Sequence, residues 1–183
     1  MSPAQPFLLI PFTAPGGLEG LRIDGSVCRL GRQLQLHYRL QGPLAELIIP
    51  SAPAKGAPER QDGLWLHTCL EAFWAVENQP DYWELNISPA GPWNLYKLNN
   101  YREGLTPESA LAAMATSIVQ RSNELQLKVA FSLPEAIGLD QVLQLSVAAV
   151  IEQQNKQISY WSLAHPGPEP DFHLRDGFLL RLP

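Results

Sequence analysis

Residues 33–40 alternate without a break between apolar and polar side chains. Leu34, Leu36, Tyr38 and Leu40 fall on one side, Gln35, His37 and Arg39 on the other. Successive residues of a strand point to opposite faces, so a run like this is satisfied by a strand with one face buried and one in water. Residues 124–133 repeat the pattern, with Leu125, Leu127, Val129 and Phe131 set against Gln126 and Lys128. Half-buried strands of this kind belong to antiparallel sheets, since parallel sheets are covered on both faces. The short run 26–30, with a tight turn at Gly31 and Arg32, makes a hairpin with 33–40.

Further strand-like runs cover 7–12, 44–50, 64–76, 82–88, 93–99, the second half of 111–120, 143–153, 157–163 and 177–182. Pro11 cannot donate to a ladder and marks the first of these as an edge strand. The 17 prolines and 13 glycines fall mostly between the runs. About ten short strands at this spacing predict a sandwich or barrel. Helix is expected only as short turns, one capped at Thr106-Pro107-Glu108 and one over 134–138. Residues 51–61 and 164–175 read as loops. At 183 residues the chain is expected to form one domain, 1–183, with a full core.

The charge of −5, with no basic cluster beyond Arg29 and Arg32, excludes a nucleic-acid surface or an anionic-membrane patch. No apolar run is long enough to span a bilayer as a helix. The first residues lack the basic start of a secretion signal, so the expected compartment is the cytoplasm. Cys28 and Cys69 are accordingly expected as reduced, buried thiols.

Two apolar runs each carry a carboxylate in mid-run, Glu71 within 64–76 and Glu84 within 82–88, and three of the five tryptophans (Trp65, Trp74, Trp83) sit beside them. A buried carboxylate is costly unless paired or hydrogen-bonded. Strand alternation places Trp65, His67, Cys69, Glu71 and Phe73 on one face, and Leu64, Leu66, Thr68, Leu70, Ala72, Trp74 and Val76 on the more apolar, core-facing side. In the next run Tyr82, Glu84, Asn86 and Ser88 oppose Trp83, Leu85 and Ile87. Joining the apolar sides aligns the others into an outer face that is both polar and aromatic. Flat rings and hydrogen-bonding groups together suit a sugar, whose hydroxyls need partners and whose C–H faces stack on rings.

Rival chemistries are weaker. His165, Asp171 and His173 share a loop and, with His67 or Cys69, supply metal-ligating types, but a zinc site needs three or four convergent ligands. Glu71 and Glu84 are the residue types of a glycosidase pair, though nothing separates them from two structural carboxylates. Ser88 lacks a nucleophile elbow, and there is no phosphate-binding glycine loop. The sequence reads as a binding module rather than an enzyme.

Trp65-x-x-Thr68-x-x-Glu71-x-Phe73 resembles the W-x-x-D-x-x-E-x-F segment of family 9 carbohydrate-binding modules and the wider DOMON-like sandwiches. Glu84-x-Asn86-x-Ser88-Pro89-x-Gly91 is similar to their E-x-N-x-S-P-x-G strand and turn. Ser159-Tyr160-Trp161-Ser162, Pro170-Asp171-Phe172-His173 and Gly177-Phe178-Leu179-Leu180-Arg181-Leu182 resemble their closing strands. With Tyr101-Arg102, the set looks most like bacterial DOMON-like proteins. The resemblance implies an all-β, antiparallel, immunoglobulin-like β-sandwich that binds a sugar or a haem. In the carbohydrate modules two tryptophans clamp the sugar. The first corresponds to Trp65; at the second this chain has no Trp, and Phe172 or His173 stands nearest. Thr68 replaces the aspartate. Haem-binding relatives use Met and His ligands; here Met1 and Met114 are the two methionines, and His67 with His165 or His173 is the bis-His alternative.

The expected function is non-catalytic binding of a small polar ligand, a saccharide or sugar derivative, with no cofactor. Trp65 and Phe172 form its walls, with His173 beside them. Glu84, Asn86, Arg102 and His67 hydrogen-bond the ligand, and Glu71 braces the sheet. The alternatives are a haem-binding domain, and a scaffold or homodimer module that buries the aromatic face.

Overall fold

A computed structural model of the chain describes residues 3–51 and 59–183. Its strands are β1 (Gln5–Leu8), β2 (Ile10–Pro11), β3 (Arg22–Leu30), β4 (Gln33–Gln41), β5 (Cys69–Val76), β6 (Tyr82–Ile87), β7 (Trp93–Leu98), β8 (Thr106–Pro107), β9 (Ala115–Gln120), β10 (Glu124–Ser132), β11 (Leu143–Glu152), β12 (Ile158–Ser162) and β13 (Leu180–Leu182). They form two antiparallel sheets, β1-β3-β4-β10-β9 and β2-β12-β11-β5-β6-β7-β8, with β13 paired to β11. Helical structure among the described residues is limited to short 3-10 turns. None is long and apolar enough to cross a membrane. The fold is the expected antiparallel β-sandwich.

The sheets meet along the faces that alternation marked. Leu34, Leu36, Tyr38 and Leu40 of β4 pack with Leu70, Ala72 and Trp74 of β5 and Leu85 and Ile87 of β6 in one core cluster. Trp74 and Phe131 bring their rings to 5.5 Å across it. Tyr38 is fully buried, and its hydroxyl donates to the Glu71 carbonyl at 2.8 Å. That bond ties the five-stranded sheet to the eight-stranded one and satisfies a hydroxyl that would be costly alone.

The eight-stranded sheet is buried on its second face too. Residues 164–179 fold over it, and Phe178 joins Phe73, Ala75, Tyr82, Tyr96, Leu98 and Ala148 in a separate cluster against which Phe172 packs. This cover places β5 and β6 almost wholly inside the protein.

Several expectations are corrected. The expected strand over 64–76 begins only at Cys69; Leu64–Leu66 is a 3-10 turn entered from Gly63 at φ 73°, a left-handed conformation that glycine adopts without penalty. Trp65 and His67 are therefore outside the strand register that grouped them with Glu71. Residues 44–50 hold a 3-10 turn (Leu44–Glu46) and a single bridge at Leu47, not a strand. Thr106–Pro107 is a two-residue edge strand on β7, not a helix cap, a position where proline's missing N–H costs nothing. The first strand divides: β1 edges one sheet, and β2, with Pro11, edges the other. Most of the expected 51–61 loop lies outside the described residues. Cys69 is buried, Cys28 is half-buried, and they form no disulfide.

Candidate functional site

On the outer face of the eight-stranded sheet, where the 164–179 cover stops short, lies a cavity of about 420 Å³. Its floor is Glu71 and Phe73 from β5, Glu84 from β6, Leu98 from β7 and Val150 from β11. Its walls are Trp65 and Leu66 from the 3-10 turn, Arg102 and Leu105 after β7, Ile158 and Tyr160 of β12, and Pro170, Phe172 and His173 of the cover. Glu71 and Glu84 face outward because Phe73 pairs with Glu84 and Glu71 with Asn86 across β5 and β6, so both carboxylates lie on the side opposite Trp74 and Leu85.

The polar groups form one connected arrangement. Tyr101 and the Arg102 guanidinium both donate to the Asp171 carboxylate, the latter at 2.9 Å, and Asp171 also accepts the His173 backbone N–H at 2.9 Å. This clasp fastens the cover to the loop after β7. Arg102 sits at φ 54°, and its backbone N–H donates to the Tyr82 hydroxyl at 3.2 Å. The Tyr82 hydroxyl is also hydrogen-bonded to His173 Nδ1 at 2.8 Å. With the hydroxyl as the donor, neutral His173 carries its proton on Nε2, which lies 3.9 Å from Glu84 Oε2. Glu84 Oε1 accepts from the Asn86 amide at 2.8 Å.

Burial governs the titration here. Burial first, and then the Arg102 charge, push the His173 pKa down to about 4. Burial raises the Glu84 carboxyl, although the Asn86 amide and Arg102 work against it. Glu71 is raised well above the usual carboxylate range, by burial and then by the Glu84 charge. For Asp171 burial disfavours the charge, but the donors from Tyr101, Arg102 and His173 prevail and hold it low. The two floor carboxyls are thus a coupled pair in which Glu71 holds its proton more tightly.

Five of the seven expected ligand contacts line this cavity: Trp65, Glu84, Arg102, Phe172 and His173. The other two do not. Asn86 is completely buried beneath the floor and acts on Glu84. His67 points away and bonds Glu152 Oε2 at 2.9 Å, because the 3-10 turn breaks the alternation that aimed it inward. Glu71 was expected as a brace of the sheet. Instead it lines the cavity, 2% exposed, and its Oε1 has no hydrogen-bond partner among the described residues. Thr68, where the resembling families carry aspartate, is buried and donates to the Ile48 carbonyl at 2.5 Å, a link within the scaffold.

The sequence reading missed Leu66, Leu105, Ile158 and Tyr160. The last two carried a signal, since Ile158 and Tyr160 alternate with buried Ser159 and Trp161. The histidines do not gather: His67 is held by Glu152, His165 bonds the Ile10 carbonyl, and His173 sits in the cavity. Met114 belongs to the core between the sheets. No three His, Cys, Asp or Glu side chains among the described residues are grouped to hold a metal ion.

No protein-family model matches the chain, and no curated protein matches it by sequence. Solved structures share its fold. A candidate carbohydrate-binding protein from Bacteroides uniformis ATCC 8492 aligns with a TM-score of 0.63 at 16% identity, over 98% of this chain and 85% of its own. A family 9 carbohydrate-binding module from Caldicellulosiruptor kristjanssonii aligns with a TM-score of 0.52 at 9% identity, over 87% of this chain; it covers 72% of the module's chain in complex with cellotriose and 74% in complex with glucose. At these identities the likeness is one of fold.

Proposed function

We propose that this chain binds a saccharide without catalysing a reaction on it, in the cavity floored by Glu71 and Glu84. The observation that carries the reading is the pairing of aromatic walls with buried hydrogen-bonding groups that have capacity to spare. Trp65, 36% exposed and held edge-on by Tyr96 at 5.9 Å, offers a ring face at the mouth. Phe172 and Tyr160 stand 6.2 Å apart in the wall formed by the cover and β12. Glu71, Glu84 and the His173 ring supply hydrogen-bonding groups. Rings stack on the C–H faces of a pyranose while the floor takes its hydroxyls. The fold likeness to modules solved with cellotriose and glucose supports the same reading.

The test is calorimetry and thermal shift with glucose, cellobiose and cellotriose, on wild type and Trp65→Ala. A ligand bound only by the folded state raises the melting temperature. Trp65→Ala should abolish binding while changing stability by no more than about 1 kcal/mol, because the residue is partly exposed. Intact binding with a large loss of stability would make Trp65 a packing residue and overturn its role. No response to any neutral or amino sugar would overturn the saccharide reading.

A second reading has its own observation. Leu66 is 62% exposed at the cavity mouth, beside exposed Leu105 and Ile158. A second copy of the chain seated there would give a concentration-dependent dimer, and a strict monomer in sedimentation would exclude it.

A further inference from the structure

The floor of the cavity is more specific than a generic polar surface. Glu71 lines the cavity, and its Oε1 is buried without a hydrogen-bond partner among the described residues. Its Cys69 neighbour offers a thiol, a weak donor. Beside it Glu84 keeps its Oε2 3.9 Å from His173. Nearly all buried polar atoms in folded proteins have partners, so an orphan on a residue that lines a cavity points to a ligand group that completes the set.

The charges around the floor decide which group. On β5 there are Cys69 and Glu71, on β6 Tyr82 and Glu84, on β7 Tyr96, after β7 Arg102, on the cover Asp171 and His173, and on β12 Tyr160. The guanidinium of Arg102 is paired with Asp171, Tyr96 donates to Asp62 at 2.6 Å, and the Tyr82 hydroxyl is taken up by His173 and the Arg102 N–H. His173 is neutral above pH of about 4. Among the described residues, two carboxyls are left lining the cavity with no cation paired to either.

We propose that the saccharide of this site carries an ammonium group, as an amino sugar does, and that the ammonium sits on the floor between Glu71 and Glu84. This rests on the saccharide reading and deepens it. A neutral sugar would bring no positive charge to the two buried carboxyls. An ammonium offers them three donors and a charge that offsets theirs. Placing that positive charge beside Glu71 favours its ionised form, so binding lowers the carboxyl's raised pKa.

The experiment compares D-glucose with its 2-amino-2-deoxy, 3-amino-3-deoxy and 6-amino-6-deoxy analogues by calorimetry at pH 7, in two buffers of different ionisation enthalpy. At least one amino sugar should bind at least about tenfold more tightly than glucose, with the buffer dependence of the heat reporting the protons exchanged on binding. The gain should vanish in Glu71→Gln, with Glu84→Gln as the second variant should the first fail to fold. The wild-type comparison needs neither variant. If glucose binds as well as every amino sugar, or the preference survives in Glu71→Gln, the ammonium assignment is overturned while the saccharide reading stands. If no sugar of either kind binds, the saccharide reading itself fails.

Discussion

Acid should weaken this protein through His173 in a defined window. The imidazole is hydrogen-bonded to the Tyr82 hydroxyl, lies against Phe73 with ring centroids 5.2 Å apart, and is held neutral with its pKa at about 4 in place of 6.5. Above pH 6.5 neither the folded nor the unfolded chain binds the extra proton, and nothing is lost. Below 6.5 the unfolded chain takes it up first, and stability falls until folded His173 also protonates near pH 4. At about 1.4 kcal/mol per unit the full shift is worth about 3 kcal/mol, of which about 2 kcal/mol is gone by pH 5. Other groups titrate over the same range, so the useful quantity is a difference. His173→Asn keeps an acceptor near the position of Nδ1 and removes the titration. Urea unfolding followed by tryptophan fluorescence, at pH 8, 6 and 5, gives wild-type minus variant stability. That difference should be flat from pH 8 to 6.5 and drop by about 2 kcal/mol by pH 5. A flat difference down to pH 5, or an NMR titration of His173 with a midpoint near 6.5, would refute the buried, neutral assignment.

Glu71→Gln should be more stable than wild type, and the advantage should grow with pH. The folded Glu71 pKa is raised, so wild type loses stability as pH climbs from the unfolded value of about 4.5 toward the folded one, and the amide removes that loss; melting temperatures at pH 5 and pH 8 that differ from wild type by equal amounts would contradict this. Tyr82→Phe removes the donor to His173 and the acceptor for the Arg102 N–H, and should cost about 1–3 kcal/mol in urea unfolding. Gly25→Ala should lose about 3 kcal/mol or fail to fold, because an added Cβ would sit 1.8 Å from the His37 carbonyl oxygen and 2.7 Å from Phe7; a near-normal melting temperature would show that β3 and β4 can part there without loss.

Much of the fold was legible because it rests on a local signal. Alternation in 33–40 and 124–133 is a consequence of the strand pleat, so it named the inner residues of β4 and β10 before any contact was known. The same logic aimed Glu71 and Glu84 outward. It failed at Leu64–Leu66, where a leucine–tryptophan–leucine run fits either a strand or a tight turn; the deciding feature was Gly63 in a left-handed conformation, which sequence signals only as a glycine. His67 was misaimed for that reason alone. Thr106-Pro107 carried the signature of a helix start, and pairing with Tyr96 and Lys97 of β7 prevailed over it. The clasp of Tyr101, Arg102 and Asp171 spans some 70 positions, and no local pattern announces a contact of that range.

The cover over the eight-stranded sheet explains why the site is where it is. With 164–179 lifted away, Glu71, Glu84 and Asn86 would form an ordinary polar strip on a solvent-facing sheet, and Phe73 and Tyr82 would be exposed beside it. With the cover down, Phe172 and Phe178 bury those rings, and the same act takes the carboxyls out of water. A covered face serving stability alone would carry apolar residues at 71 and 84, as it does at Phe73 and Leu98, since replacing buried ionisable groups by well-packed apolar ones is often neutral or stabilising. The two carboxyls are found where the cover leaves its gap, one bound to Asn86 and the other with an oxygen unpartnered. The cost of burying them falls where the cover leaves a cavity.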